Sequence, residues 1–118
     1  MAAPTVHGRL HVDGLDVAAV EVAQSRRAVR RGLLGRDGVD GALLLTRAKQ
    51  VHTVRMRFAI DVAFLARDGR VLQVRTMRPG RLSPLLLRAR DVLEAEAGRF
   101  DAWGLAPGAH VEAVTSHP

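Results

Sequence analysis

Four side chains in this sequence could share one piece of chemistry: His52, Arg57, Asp61 and Glu94. An imidazole titrates near neutrality, so His52 could serve as a general base or a ligand. The plainer role is a half-buried histidine bonded to backbone. Asp61 stands between Ile60 and Val62. A strand through it would bury its carboxylate, and a buried charge needs a partner. Arg55, Arg57 and Arg75 are the candidates. Glu94 and Glu96 are two residues apart, hence on one face of a strand. Paired carboxylates can divide acid and base roles, although a solvated edge explains Glu96 more simply. A second set is cationic. Arg26, Arg27, Arg30 and Arg31 would line one exposed side of a helix and could meet an anion or phosphates; a solvated helix face is the plainer reading.

Other patterns exclude chemistry. His7 and His11 have helix-like spacing, but Gly8 and a nearby turn put them on a strand, about 13 Å apart. Cysteine is absent, so no thiolate site or disulfide exists. No metal or other cofactor is expected. The run Arg31–Arg36 holds two glycines but lacks the Lys-Ser/Thr of a phosphate-binding loop. Ser25, Ser83 and Ser116 fall in a helix cap, a loop and the tail, and none sits in a nucleophile elbow.

The elements that would position these residues read mostly as strands. Residues 1–7 form a loose leader. Gly8–Val12 and Leu15–Gln24 flank Asp13-Gly14, a pair suited to a type I′ hairpin turn. Along the second strand the apolar parity switches between Ala19 and Val20, which implies a bulge or burial on both sides. Ser25 caps a helix over Arg26–Leu34 that Gly35 ends. Asp37-Gly38 and Asp40-Gly41 mark turns, and Ala42–Thr46 is a short buried strand. His52, Val54, Met56 and Phe58 alternate with Thr53, Arg55 and Arg57, which predicts a strand over Val51–Phe58. Asp61–Arg67 and Arg70–Thr76 form a hairpin through a two-residue Asp68-Gly69 loop. Two prolines exclude a central strand from Arg78–Pro84. Leu85–Ala89 fits no single pattern. Val92–Ala97 is a strand, Gly98–Gly104 a helical turn or tight loop, and His110–Val114 a last strand. The final four residues, Thr115–Pro118, are expected to fray.

Hairpins dominate, and strand–helix alternation is missing. The expected fold is mainly β (α+β): a small antiparallel or mixed sheet curling toward a barrel, with seven to eight short strands and one or two short helices. At 118 residues and 47% hydrophobic content the chain is one domain spanning 1–118. No apolar run approaches a membrane span, and no signal peptide is evident, so the expectation is a soluble cytoplasmic protein. The net charge is +6, nearly all of it arginine, since Lys49 is the only lysine. That balance permits nucleic acid or acidic ligands. The four large aromatics Phe58, Phe64, Phe100 and Trp103 are too few for stacking platforms, which counts against nucleic acid. The sequence names no partner.

Three segments carry a resemblance. Arg30–Arg36, RRGLLGR, resembles the helix end Arg-Gly-Leu-Met-Gly-Arg of the domain-of-unknown-function 192 family. Met56–Val71 resembles that family's apolar-Asp core followed by Gly-x-Val. Val92–Gly98, VLEAEAG, and Trp103–Gly108 resemble its ending. The match covers about residues 25–115, in the family's order. It implies a small, mostly β domain, singles out Arg36, Met56, Asp61, Glu94 and Gly98, and brings no settled activity. The chain departs from the family at Ala59, in place of a usual proline, at Ala109, in place of a frequent aspartate, and over VHTVRMRF, in place of the usual Trp-Met-Lys-Asn segment.

Three functions follow as expectations. The preferred one is non-catalytic binding of a small ligand or partner at a polar site near Asp61 and Glu94, with His52 and Arg57. The alternatives are a small hydrolase or lyase using His52 with Asp61 or Glu94, and nucleic-acid or anion binding by the Arg26–Arg31 face.

Overall fold

A computed structural model describes residues 5–115. β1 (Thr5–Val12) and β2 (Leu15–Ala23) form a hairpin through Asp13 and Gly14, which both take positive φ, 50° and 83°, as the type I′ turn requires. The switch of parity in β2 has its cause here. Leu10 pairs with Ala18 and His11 with Asp16, so Val17 is bulged out of register. α1 (Arg26–Arg31), β3 (Ala42–Leu45), β4 (Ile60–Leu65) and β5 (Val71–Met77) follow, then β6 (Asp91–Glu96), α2 (Arg99–Trp103) and β7 (Val111–Thr115).

The strands form one seven-stranded sheet in the order β5-β4-β6-β3-β2-β1-β7. The β2–β3 pair is parallel and the others are antiparallel. β4 is buried at every position, as a strand covered on both faces must be. On one face Leu43, Leu45, Ile60, Val62, Phe64 and Val92 pack under Leu33, Val51, Met56 and Ala89. On the other, Leu10, Ala63, Leu65, Leu93 and Ala95 pack under Phe100 and Leu105. Each fully buried Leu or Phe contributes roughly 2 kcal/mol of transfer free energy. The fold is the expected mainly β, mixed sheet with two short helices. It curls without closing into a barrel. At one end the sheet edges touch: Arg70 and His110 form an isolated bridge, and Val71 N–H donates to the Ala109 carbonyl at 2.8 Å.

Several local expectations need correction. Val51–Phe58 is a loop, with a single bridge between His52 and Leu82. Its alternation comes from a turn: Met56 N–H donates to the Thr53 carbonyl, and Arg55 sits at φ 64°. Thr53 is fully buried because its hydroxyl donates to the Arg78 carbonyl at 2.6 Å, while His52 and Val54 are exposed. α1 stops at Arg31, not Leu34. Gly32, at φ 49°, turns the chain so that Leu33 drops into the core. The β4–β5 loop has three residues, not two: Ala66 N–H bonds the Arg70 carbonyl and Gly69 N–H returns to the Ala66 carbonyl, with Gly69 at φ 91°. Thr5–His7 belong to β1 rather than to a leader, and Leu85–Ala89 is irregular. The expectations for residues 1–4 and for 116–118, Ser116 included, lie outside the described residues.

Candidate functional site

Asp61 and Glu94 lie on adjacent strands and face opposite ways. In the β4–β6 register Asp61 is opposite Ala95, and Glu94 is opposite Val62. Cross-strand partners share a face and successive residues alternate. Asp61 therefore joins Ala63, Ala95 and Phe100, whereas Glu94 joins Val62, Leu43 and Val92.

The Asp61 carboxylate is 4% exposed and fully engaged. Oδ1 accepts from the Thr76 hydroxyl at 2.8 Å, and Oδ2 from Gly98 N–H at 2.9 Å and Phe100 N–H at 3.1 Å. None of the three arginines anticipated as its partner is used. The carboxylate holds the start of α2, whose free N–H groups attract an anion. Arg57 is exposed and pairs with Asp37 at 2.7 Å. These two residues share no site with each other or with Glu94.

Glu94 is also 4% exposed, but neither of its oxygens has a hydrogen bond among the described residues. Oε1 is sealed from solvent. Gly32 lies over it, so close that a Cβ there would stand 3.2 Å away. Burial pushes the Glu94 pKa up to about 7, and the Arg36 charge pulls the other way. Arg36 is itself held by Glu21 on β2 at 2.6 Å. Glu21 and Glu94 occupy one cross-strand row, with Leu43 between them. Two segments remote in sequence, RRGLLGR and VLEAEAG, thus converge: Gly32 covers Glu94, and the Arg36 charge acts on it.

Glu94 lines a pocket of about 550 Å³. Its walls are largely apolar, including Val29, Leu33, Leu45, Val51 and Met56. His52 lines the same pocket, as do Arg30, Arg31, Arg47 and Lys49. The His52 ring is exposed, and its Nδ1 accepts from Val54 N–H at 3.3 Å, which ties it to its own loop. Val54 and Leu85, both exposed apolar residues, stand at the rim. A mostly apolar cavity with a few polar groups has the composition of small-molecule sites.

Of the residues anticipated from sequence, the structure gathers His52, Glu94, Arg30 and Arg31 at this pocket. Arg26 and Arg27 are exposed on α1. Arg26 lines a smaller adjoining cleft with Gln24, Val29, Arg30, Thr46 and Arg47. Glu96 is no bare edge, since its Oε1 accepts from Val39 N–H at 3.1 Å. His7 and His11 stand opposite Glu21 and Asp16 along β1. Among the described residues no group of three His, Cys, Asp or Glu could hold a metal ion. No helix there is long and apolar enough to cross a membrane.

Sequence reasoning missed Gly32 and Arg47. The glycine was visible within RRGLLGR, but its task depends on what lies beneath it. Arg47 has φ 58°, a left-handed conformation uncommon outside glycine, and its N–H is held by Asp91 Oδ1 at 3.0 Å. No sequence signal marks that.

Two solved structures share the fold. A protein of unknown function from Novosphingobium aromaticivorans superposes with a TM-score of 0.74 at 20% identity, over 88% of this chain and 83% of its own. A Sinorhizobium meliloti protein that carries the provisional name of a transcription regulator also scores 0.74, at 24% identity, over 92% and 93%. At such identities the likeness is one of fold. No curated protein matches the chain. The profile of domain of unknown function 192 (DUF192, uncharacterized ACR) matches residues 9–113, nearly the whole chain, which therefore belongs to that family.

Proposed function

We propose that this chain is a non-catalytic small-ligand-binding protein whose site is the pocket over Glu94. The observation that supports this most is the buried carboxyl group with no hydrogen bond among the described residues, lining a mostly apolar cavity. Leaving such a group unpaired costs on the order of 1–3 kcal/mol. A ligand that brings a hydroxyl, amide or amine to Glu94 removes that cost on binding. Asp61, engaged with α2, and Arg57, on the exposed surface, stand outside the site.

Acid–base catalysis by His52 and Glu94 has less support. They share the cavity, but the ring nitrogen nearest the loop is already bonded to it. The name given to the Sinorhizobium meliloti protein would suit the exposed arginines of α1. Nucleic-acid binding there would weaken steeply with salt and would ignore Glu94.

The test is a fragment screen by ligand-observed NMR against the wild type and Glu94→Leu. Binders lost in the variant, with its thermal melt intact, are the expected result. Fragments that bind both proteins equally, or no binders at all, would overturn the reading.

A further inference from the structure

The pocket over Glu94 does not end at its apolar wall. Val29, Arg30 and Arg47 also line the adjoining cleft, of about 380 Å³, whose other residues are Gln24, Arg26 and Thr46. The two cavities are therefore neighbours with a shared wall. One is apolar with a carboxyl group in its lining, and the other is cationic.

From this juxtaposition we infer that the ligand is an elongated amphipathic anion. Its carboxylate or phosphate lies in the arginine cleft, its apolar body in the larger pocket, and a terminal hydrogen-bond donor at Glu94. The inference rests on the proposed function and adds the ligand's charge and polarity order.

Three observations carry it. The guanidinium groups of Arg26, Arg30 and Arg47 make no hydrogen bond or ion pair among the described residues, whereas Arg9, Arg36 and Arg57 are each paired with an acid. Arg26 and Arg30 are one helical turn apart and present their side chains on the same side of α1. Arg47 reaches the boundary between the cavities from a backbone with positive φ, locked by the Asp91 side chain. Strain of that kind persists where surrounding structure over-determines it, and it clusters at ligand clamps. The third cleft cation comes from the loop after β3, so the arginines converge from two elements.

The same charges argue against a cationic ligand. Glu94 alone would suit an ammonium group, but four cations, Arg30, Arg31, Arg47 and Lys49, line the pocket around it. A ligand cation would have to pass them. An anion is drawn in by them, and its far end can bring Glu94 the donor that none of the described residues supplies.

Isothermal titration calorimetry with three matched probes tests this: ω-hydroxydecanoate, ω-hydroxydecyl phosphate and decane diol. They share an apolar chain and a terminal hydroxyl and differ in the acidic group. At least one acid should bind about tenfold or more tighter than the diol, and the better acid identifies the group the cleft prefers. Added salt and the double variant Arg30→Gln with Arg47→Gln should remove the acids' advantage over the diol. Both positions are exposed, so the variant should fold, which a thermal melt verifies. Diol binding that depends on Glu94, with no gain from either acid, overturns the inference and leaves the proposed function standing. An acid advantage that survives the double variant overturns it as well. Absence of binding by all three probes defeats both readings.

Discussion

Asp61 and Glu94 make a controlled pair. Each is a carboxylic acid on a central strand, each is 4% exposed, and they occupy adjoining strands of one sheet. Among the described residues one has three hydrogen bonds and the other none. Burial alone therefore does not separate a carboxyl group bonded into the fold from one left without a partner; the hydrogen-bond inventory does. Asp61 is spent on holding α2. Glu94 is held in place by packing under Gly32 while its polar capacity stays unused.

Substitutions can break that contrast, and the largest effect is expected at Asp61. Asp61→Ala removes a charged acceptor from two backbone N–H groups and a hydroxyl. It should cost on the order of 4 kcal/mol in urea unfolding while leaving pocket ligands bound by the folded fraction. A loss under about 1 kcal/mol would show that α2 does not depend on the carboxylate.

Glu94 comes next, and its effect is read in pH. Its folded pKa of about 7 lies above the ordinary 4.5, so the native state holds the proton more tightly than the unfolded chain. The stability this provides is complete below 4.5, falls as pH rises, and is gone above about 7. At about 1.4 kcal/mol per pH unit across that interval, roughly 3 kcal/mol is at stake. Glu94→Gln should flatten this part of the profile and be more stable than wild type near pH 8. Parallel pH profiles from chemical denaturation for the two proteins would contradict the assignment.

A smaller effect should come from Gly32→Ala. The backbone at φ 49° disfavours any side chain, and the new Cβ would meet Glu94 Oε1 at 3.2 Å. A cost of about 1–3 kcal/mol is expected, with altered ligand affinity at the pocket. Unchanged affinity with unchanged stability would remove Gly32 from the site. Smallest of all is Arg57→Ala. Its ion pair with Asp37 is exposed at both ends, 59% and 87%, so denaturation midpoints should shift by less than about 0.5 kcal/mol.

What the sequence made legible was local. The Asp13-Gly14 turn, the bulge in β2 and the β4–β5 hairpin follow from turn chemistry and parity that act over a few residues. The Val51–Phe58 strand failed because period-two alternation does not separate a pleated strand from a loop laid over a sheet. Here Thr53 is buried by hydrogen bonds and Met56 by packing, with a left-handed Arg55 between them. Asp61 was expected to be buried, and it is; Glu94 was singled out by its strand face and the family resemblance, and its burial came only with the structure. Placing them in one site required knowing which strands pair and in what register, which no local pattern holds. The five residues marked by the family resemblance divide the same way: Met56 and Glu94 line the pocket and Arg36 acts on Glu94, while Gly98 serves Asp61 on the opposite face.

The pairing of β1 with β7 has a consequence for the order in which the molecule assembles. Asp13 and His110 exchange two hydrogen bonds of 2.8 Å across 97 residues. Such a contact closes nearly the whole chain into one loop, and topologies rich in distant pairings fold slowly. During synthesis the β1–β2 hairpin emerges early, yet the strand that covers its outer edge is made after the other six. Until β7 is made, that edge is an open template for pairing with another nascent chain. Expression yield should therefore respond to translation rate and chaperone supply more sharply than the packing of the finished core would suggest.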